Sequence, residues 1–86
     1  MSINDRSFAI KLANNNTSSL TVMFEPWAST VTLETGDVLE VEFYTPKGTV
    51  PLADIEVVED GWRIEPSFGT NLVVKLNNEI LNYITY

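Results

Sequence analysis

Neither cysteine nor histidine occurs anywhere in the sequence. Without thiols there is no disulfide, no thiolate nucleophile and no cysteine-ligated zinc. Without imidazole the commonest general base is missing too, and so are type-1 copper sites, which need both residue types. Cations are scarce: five Lys and Arg stand against twelve Asp and Glu, for a formal net charge of −7. Such a chain repels phosphate backbones and anionic bilayers, so neither nucleic acid nor membrane is an expected partner, and a basic protein is the easier one. Long hydrophobic runs are also lacking. The opening stretch MSINDRSFAIKLANNN holds only a short apolar run broken by Lys11, too little for a signal-peptide core or a membrane span, and the expected location is the cytoplasm.

What is present bounds the fold. Eighty-six residues make one domain with room for a single core, and 44% hydrophobic residues suffice to fill it. No segment of about ten residues carries a helical stripe, whereas short alternating runs rich in Val, Ile, Thr, Phe and Tyr recur. The clearest is Val38 to Thr45, where Leu39, Val41 and Phe43 point one way and Glu40, Glu42 and Tyr44 the other. The same rule places strands at Ser7–Ala13, Ser19–Glu25, Thr30–Glu34, Asp54–Glu59, Trp62–Glu65, Leu72–Leu76 and Glu79–Thr85. Polar turns at Asn14–Ser18, Thr35–Asp37, Asp60–Gly61 and Asn77–Asn78 separate them.

The expectation is an all-β domain, a two-sheet sandwich or Greek-key barrel of about eight short antiparallel strands. Its expected core is Phe8, Ile10, Leu12, Leu20, Val22, Phe24, Val31, Leu33, Leu39, Val41, Phe43, Ile55, Val57, Ile64, Leu72 and Val74. Two Glu-Pro corners, Glu25-Pro26 and Glu65-Pro66, resemble each other in their flanks. The chain can therefore be read as two pseudo-repeated four-strand units, 7–45 and 54–85, joined by the Pro- and Gly-containing segment 46–53. Proline ends a ladder, so both corners are expected to carry the chain between sheets, with Trp27 and Phe68 plugging opposite ends of the core.

The run Leu20-x-Val22-x-Phe24-Glu25-Pro26-Trp27, followed by a turn around Gly36 and an acidic strand, resembles a pattern in small uncharacterised bacterial β-domain proteins. The resemblance covers about residues 20–43. Those sequences often have Gly after the Trp and Pro before the turn Gly, where this chain has Ala28 and Thr35. It implies a small bacterial β-domain and brings no catalytic residues with it.

Several places could carry chemistry. A two-residue Asp60-Gly61 loop would set Glu59 opposite Trp62 and Glu56 opposite Glu65, with Arg63 lying between the two like charges or a cation taking its place. Glu40, Glu42, Glu56 and Glu65 could together hold calcium if their strands were neighbours, but no Asp-rich loop has calcium-binding spacing. Glu25 beside Trp27 and Glu59 facing Trp62 are the carboxylate and aromatic pairs a glycosidase would use, although so short a chain has little surface for a cleft. Trp27, with Tyr44, Phe68, Tyr83 and Tyr86, could instead stack sugars, with Asn71 bonding their hydroxyls. The final strand is apolar on both faces. With a two-residue turn between Leu76 and Glu79, Leu81 and Tyr83 would face inward and leave Ile80, Ile84 and Val73 outward, inviting another chain.

The resulting expectation is a non-catalytic protein-binding module with no cofactor and no metal. It would form a homo-oligomer or act as an inhibitor or immunity-type protein for a basic partner, through Trp27, Glu40, Glu42, Glu56, Glu65, Ile80, Ile84 and Tyr86. The alternative is a carbohydrate-binding module centred on Trp27.

Overall fold

The structure is a computed structural model that describes residues 6–45 and 52–86. Among the described residues eight strands run in order: β1 (Arg6–Ala13), β2 (Leu20–Phe24), β3 (Ser29–Leu33), β4 (Val38–Thr45), β5 (Ala53–Val58), β6 (Gly61–Pro66), β7 (Asn71–Leu76) and β8 (Glu79–Ile84). They form two four-stranded sheets, β1-β4-β7-β8 and β3-β2-β6-β5, and neither closes into a barrel. The fold is an all-β sandwich. Among the described residues there is no helix long and apolar enough to cross a membrane.

Alternation builds the core as the sequence suggests. Along β4, Leu39, Val41, Phe43 and Thr45 are buried while Glu40, Glu42 and Tyr44 are half-exposed. Val22, Phe24, Leu33 and Ile64 meet Leu39, Val41, Phe43, Leu72 and Val74 between the sheets, all at most 1% exposed. Phe8 stacks on Phe43 with ring centroids 4.5 Å apart. Each such side chain contributes about 1.5–3 kcal/mol by leaving water.

Three expected core residues do not belong to it: Leu20, which is half-buried, and Ile55 and Val57. Ile55 and Val57 lie opposite Ile64 and Trp62, so they share the core-facing side of the second sheet, yet they are 43% and 79% exposed. The reason is position: β5 is an edge strand, and cover is lost along it from Ala53, which packs on the core, to Val57.

The hairpin register also differs from expectation. Glu59 and Asp60 form the turn, so Val58 faces Gly61, Val57 faces Trp62 and Glu56 faces Arg63. Gly61 is not a turn residue because a different constraint claims it. Opposite Thr21 it starts the β2–β6 pairing, which is parallel where the other ladders among the described residues are antiparallel. Its φ is 149°, and a Cβ there would sit 1.8 Å from the Thr21 carbonyl oxygen. Only glycine permits so close an approach.

The two Glu-Pro corners are not equivalent. After Pro66 the chain crosses from the second sheet to β7 in the first, as expected. Around Pro26 it stays in the second sheet: the Glu25–Pro26 peptide bond is cis, Ala28 takes φ 57°, and β3 returns antiparallel beside β2. The pseudo-repeat fails with it, because β1 and β5 lie in different sheets, as do β3 and β7. Each half still supplies two adjacent strands to each sheet, by a different route.

One polar residue ties several turns together. Asn14 is fully buried; its Nδ2 donates to the carbonyls of Ser18 (2.9 Å) and Leu33 (2.8 Å), and its Oδ1 accepts from the Asn16 N–H at 2.9 Å. Its backbone N–H donates to Asp37 at 3.0 Å and its carbonyl accepts from Gly36 at 2.8 Å. Asp37 is bound in turn by the Asn77 amide (3.0 Å) and the Glu34 N–H (2.9 Å). These two bonds, the Asn77 bond first, hold its carboxyl below the usual carboxylate range.

Candidate functional site

The outer face of the first sheet carries Glu40 and Glu42 on β4. The register places Glu40 between Lys11 and Lys75, and Lys75 Nζ lies 3.2 Å from Glu42 Oε1. Hydrogen bonding to Glu42 is the largest of the influences that raise the Lys75 pKa. Tyr44 beside them is pushed up by burial and then by Glu42. Both carboxylates thus have lysine neighbours on this face, Glu42 in an ion pair with Lys75 and Glu40 with Lys11 and Lys75 as its cross-strand partners. The lysines lie far from both glutamates in sequence, and only strand order brings them in.

The outer face of the second sheet is different. Asp54 faces Glu65, and Glu56 faces Arg63, whose Nη2 is 3.1 Å from Glu56 Oε2. Both partners are about half exposed, at 46% and 58%, so the pair is worth little. With Glu59 and Asp60 in the adjoining turn, Arg63 is the single cation of this hairpin. Glu40 and Glu42 lie on one sheet, Glu56 and Glu65 on the other, so the four do not converge on a shared cation. Glu59 sits in the turn and no longer faces Trp62.

At the opposite edge, β8 begins as the sequence suggests, with Leu76 opposite Glu79 across the Asn77-Asn78 turn. A bulge at Val74/Lys75 then leaves Leu81 unpaired and reverses the expected faces. Ile84 lies opposite Leu72 and packs on the core, while Tyr83 lies opposite Val73 and is 67% exposed. Ile80 remains outward, 52% exposed, and Leu81 is 51% exposed. Between β3 and β8 the sandwich is open: a groove of about 250 Å³ is lined by Phe24, Val31, Val74, Leu81 and Ile84 among others.

The aromatic residues gather at one end of the molecule instead of plugging two. Trp27 and Phe68 both pack edge-on to Tyr86, at centroid distances of 5.2 and 5.1 Å. Trp27 is half-buried against the core, whereas Phe68 is 82% exposed and plugs nothing.

No protein-family model, curated protein or solved structure matches this chain. The site must therefore be read from its own chemistry. Trp27 and Tyr86 come together, and Glu56 and Glu65 share a face. Ile80 stays at a free edge, and Ile84 turns inward. The sequence reading missed the free apolar face of β5, since a strand pattern marks which residues share a face but not whether anything covers them.

Proposed function

We propose that this protein is a non-catalytic protein-binding module that assembles with a second copy of itself through the free edge of β8. The observation that carries this reading is the character of that edge. β8 opens with Glu79 beside the turn, but from Ile80 to Tyr86 there is no charged side chain, and Ile80, Leu81 and Tyr83 are each more than half exposed. Sheet edges are ordinarily blunted by charge or proline. Here β1 carries Lys11 and β5 carries Asp54 and Glu56, while β3 exposes mainly Ser and Thr. Pairing β8 antiparallel with its symmetry mate would be isologous, joining two four-stranded sheets into one and bringing Tyr83 of each copy to the junction.

Electrostatics give this reading a signature. Each copy carries −7, so two copies repel and screening should strengthen the dimer, the opposite of the salt response of a basic partner. The test is solution mass by light scattering at low and high salt, with Tyr83→Lys beside the parent. A dimer favoured by salt and absent in Tyr83→Lys supports the reading, and a monomer under every condition overturns it. Ile84→Lys is unsuitable because Ile84 packs on the core.

A second reading, a glycan platform, draws on the exposed ring of Phe68 beside Tyr86 and Trp27. It has less support, because Trp27 is already engaged by Tyr86 and the core. Glycan-dependent tryptophan fluorescence, abolished by Phe68→Ala, would promote it.

A further inference from the structure

β5 is an edge strand of the second sheet, and it combines three properties. It pairs only with β6 among the described residues, so one of its hydrogen-bonding sides meets no other strand. Its core-facing side presents Ile55 and Val57, 43% and 79% exposed although their cross-strand neighbours Ile64 and Trp62 are buried and half-buried. Its outer side presents Asp54 and Glu56, with Glu65 behind them and Glu59 and Asp60 in the turn, against the single cation Arg63.

A strand laid along this edge would continue the pleat of the second sheet, so its side chains would alternate between the two faces. Those on the core-facing side would meet Ile55 and Val57; those on the outer side would meet Asp54 and Glu56. Cross-strand neighbours are stabilised by apolar contact and by opposite charge, and destabilised by like charge. The complementary strand is therefore one that alternates apolar and basic residues. A second copy of this chain does not fit: its own β5 would bring Asp54 and Glu56 against the same carboxylates.

We propose that the β5 edge is a strand-addition site for an extended segment of a basic protein in which apolar side chains alternate with Lys or Arg. This rests on the protein-binding reading but not on self-assembly through β8, since the two edges belong to different sheets. It gives the inhibitor form of that reading a definite contact surface. The six residues of β5 span about 20 Å, so a partner segment of six or seven residues fills the site.

The test uses the full chain and a fluorescein-labelled peptide of alternating Lys and Val, seven residues long, read by fluorescence polarisation at about 20 and about 200 mM salt. A peptide of the same composition with its Lys and Val in separate blocks is the control for charge alone. The expected result is binding of the alternating peptide that weakens with salt, at least about tenfold weaker binding of the block peptide, and slowed amide exchange across residues 53–58. Val57→Lys and the double variant Asp54→Lys, Glu56→Lys should each weaken binding about tenfold or more, while Thr32→Lys, the same change of charge as Val57→Lys but on the exposed face of β3, leaves it unchanged. These positions are exposed, and unaltered thermal unfolding would verify that the variants remain folded.

Equal binding of the alternating and block peptides would overturn the proposal in favour of diffuse charge attraction. Loss in Tyr83→Lys but not in Val57→Lys would move the site to β8. A parent dimer that Val57→Lys abolishes would give the edge to a second copy, and absence of binding would leave β5 without the assigned partner. Failure of the β8 dimer test alone touches none of these outcomes.

Discussion

Replacing Asn14 by Ala should be among the most destabilising polar substitutions in the molecule, because this fully buried side chain makes three hydrogen bonds to backbone groups, one of them in a buried bond. The Leu33 carbonyl that it binds at 2.8 Å is in a buried bond, and leaving such an acceptor unpaired costs about 1–3 kcal/mol. The Ser18 carbonyl and the Asn16 N–H are partly buried and can recover water in part, losing about 0.5–1.5 kcal/mol each. The expected loss is about 3 kcal/mol, a large share of the roughly 4–13 kcal/mol typical for a domain of this size. It would lower the melting temperature by roughly 15 °C. Urea unfolding followed by Trp27 and Trp62 fluorescence would show a lower midpoint with an unchanged slope. Asn14→Asp separates bonding from shape: it keeps the acceptor for Asn16 but turns a carboxylate oxygen toward two carbonyls. Burial raises the folded pKa of such a carboxyl above its unfolded value, so the penalty grows as pH rises above about 4 and is relieved below it. A loss under about 1 kcal/mol in Asn14→Ala, or an Asn14→Asp variant as stable as the parent at pH 7, would refute the reasoning.

Other substitutions follow from the same structure. Gly61→Ala should prevent the β2–β6 ladder from forming, since its methyl would overlap the Thr21 carbonyl, and a folded variant with parent-like circular dichroism and melting would count against that contact. Ala28→Gly should be neutral or stabilising by up to about 1 kcal/mol, because Ala28 holds φ 57° where an L side chain is disfavoured; destabilisation in urea would contradict this. Asp37 has a lowered folded pKa, so its contribution is complete above its unfolded pKa and is lost as pH falls through the folded one. The stability gap between parent and Asp37→Asn should therefore shrink on acidification, and a gap independent of pH would show that the Asn77 and Glu34 bonds do not favour the charged form.

Period-2 alternation located all eight strands to within a residue or two, and it assigned the correct face to Phe43, Ile64 and even Val57. It could not say which strands would be neighbours. That is why Glu40 and Glu42 read as an open acidic face when Lys11 and Lys75 stand beside them. It is also why Val57 read as core although it is 79% exposed. The Asp60-Gly61 pair looked like a turn because that is its commonest use, but the approach of Thr21 from a distant strand had the stronger claim on glycine. In β8 a single unpaired residue, Leu81, exchanged the roles of Tyr83 and Ile84, and no local pattern announces a bulge. Asn14 stood in a run of three asparagines, each as suited to a turn as the next.

Each sheet takes two strands from the first half of the chain and two from the second, joined only where β4 meets β7 and β2 meets β6. Both seams are therefore long-range, the β2–β6 seam pairing Phe24 with Ile64. A nascent chain that has made only β1 to β4 holds two narrow hairpin-like layers whose apolar faces lack most of their cover. Folding must wait for the rest of the molecule, and it is then expected to be slow and all-or-none. The same geometry lets two chains trade halves, since either seam forms as well between copies as within one, and the product would repeat every contact of the monomer.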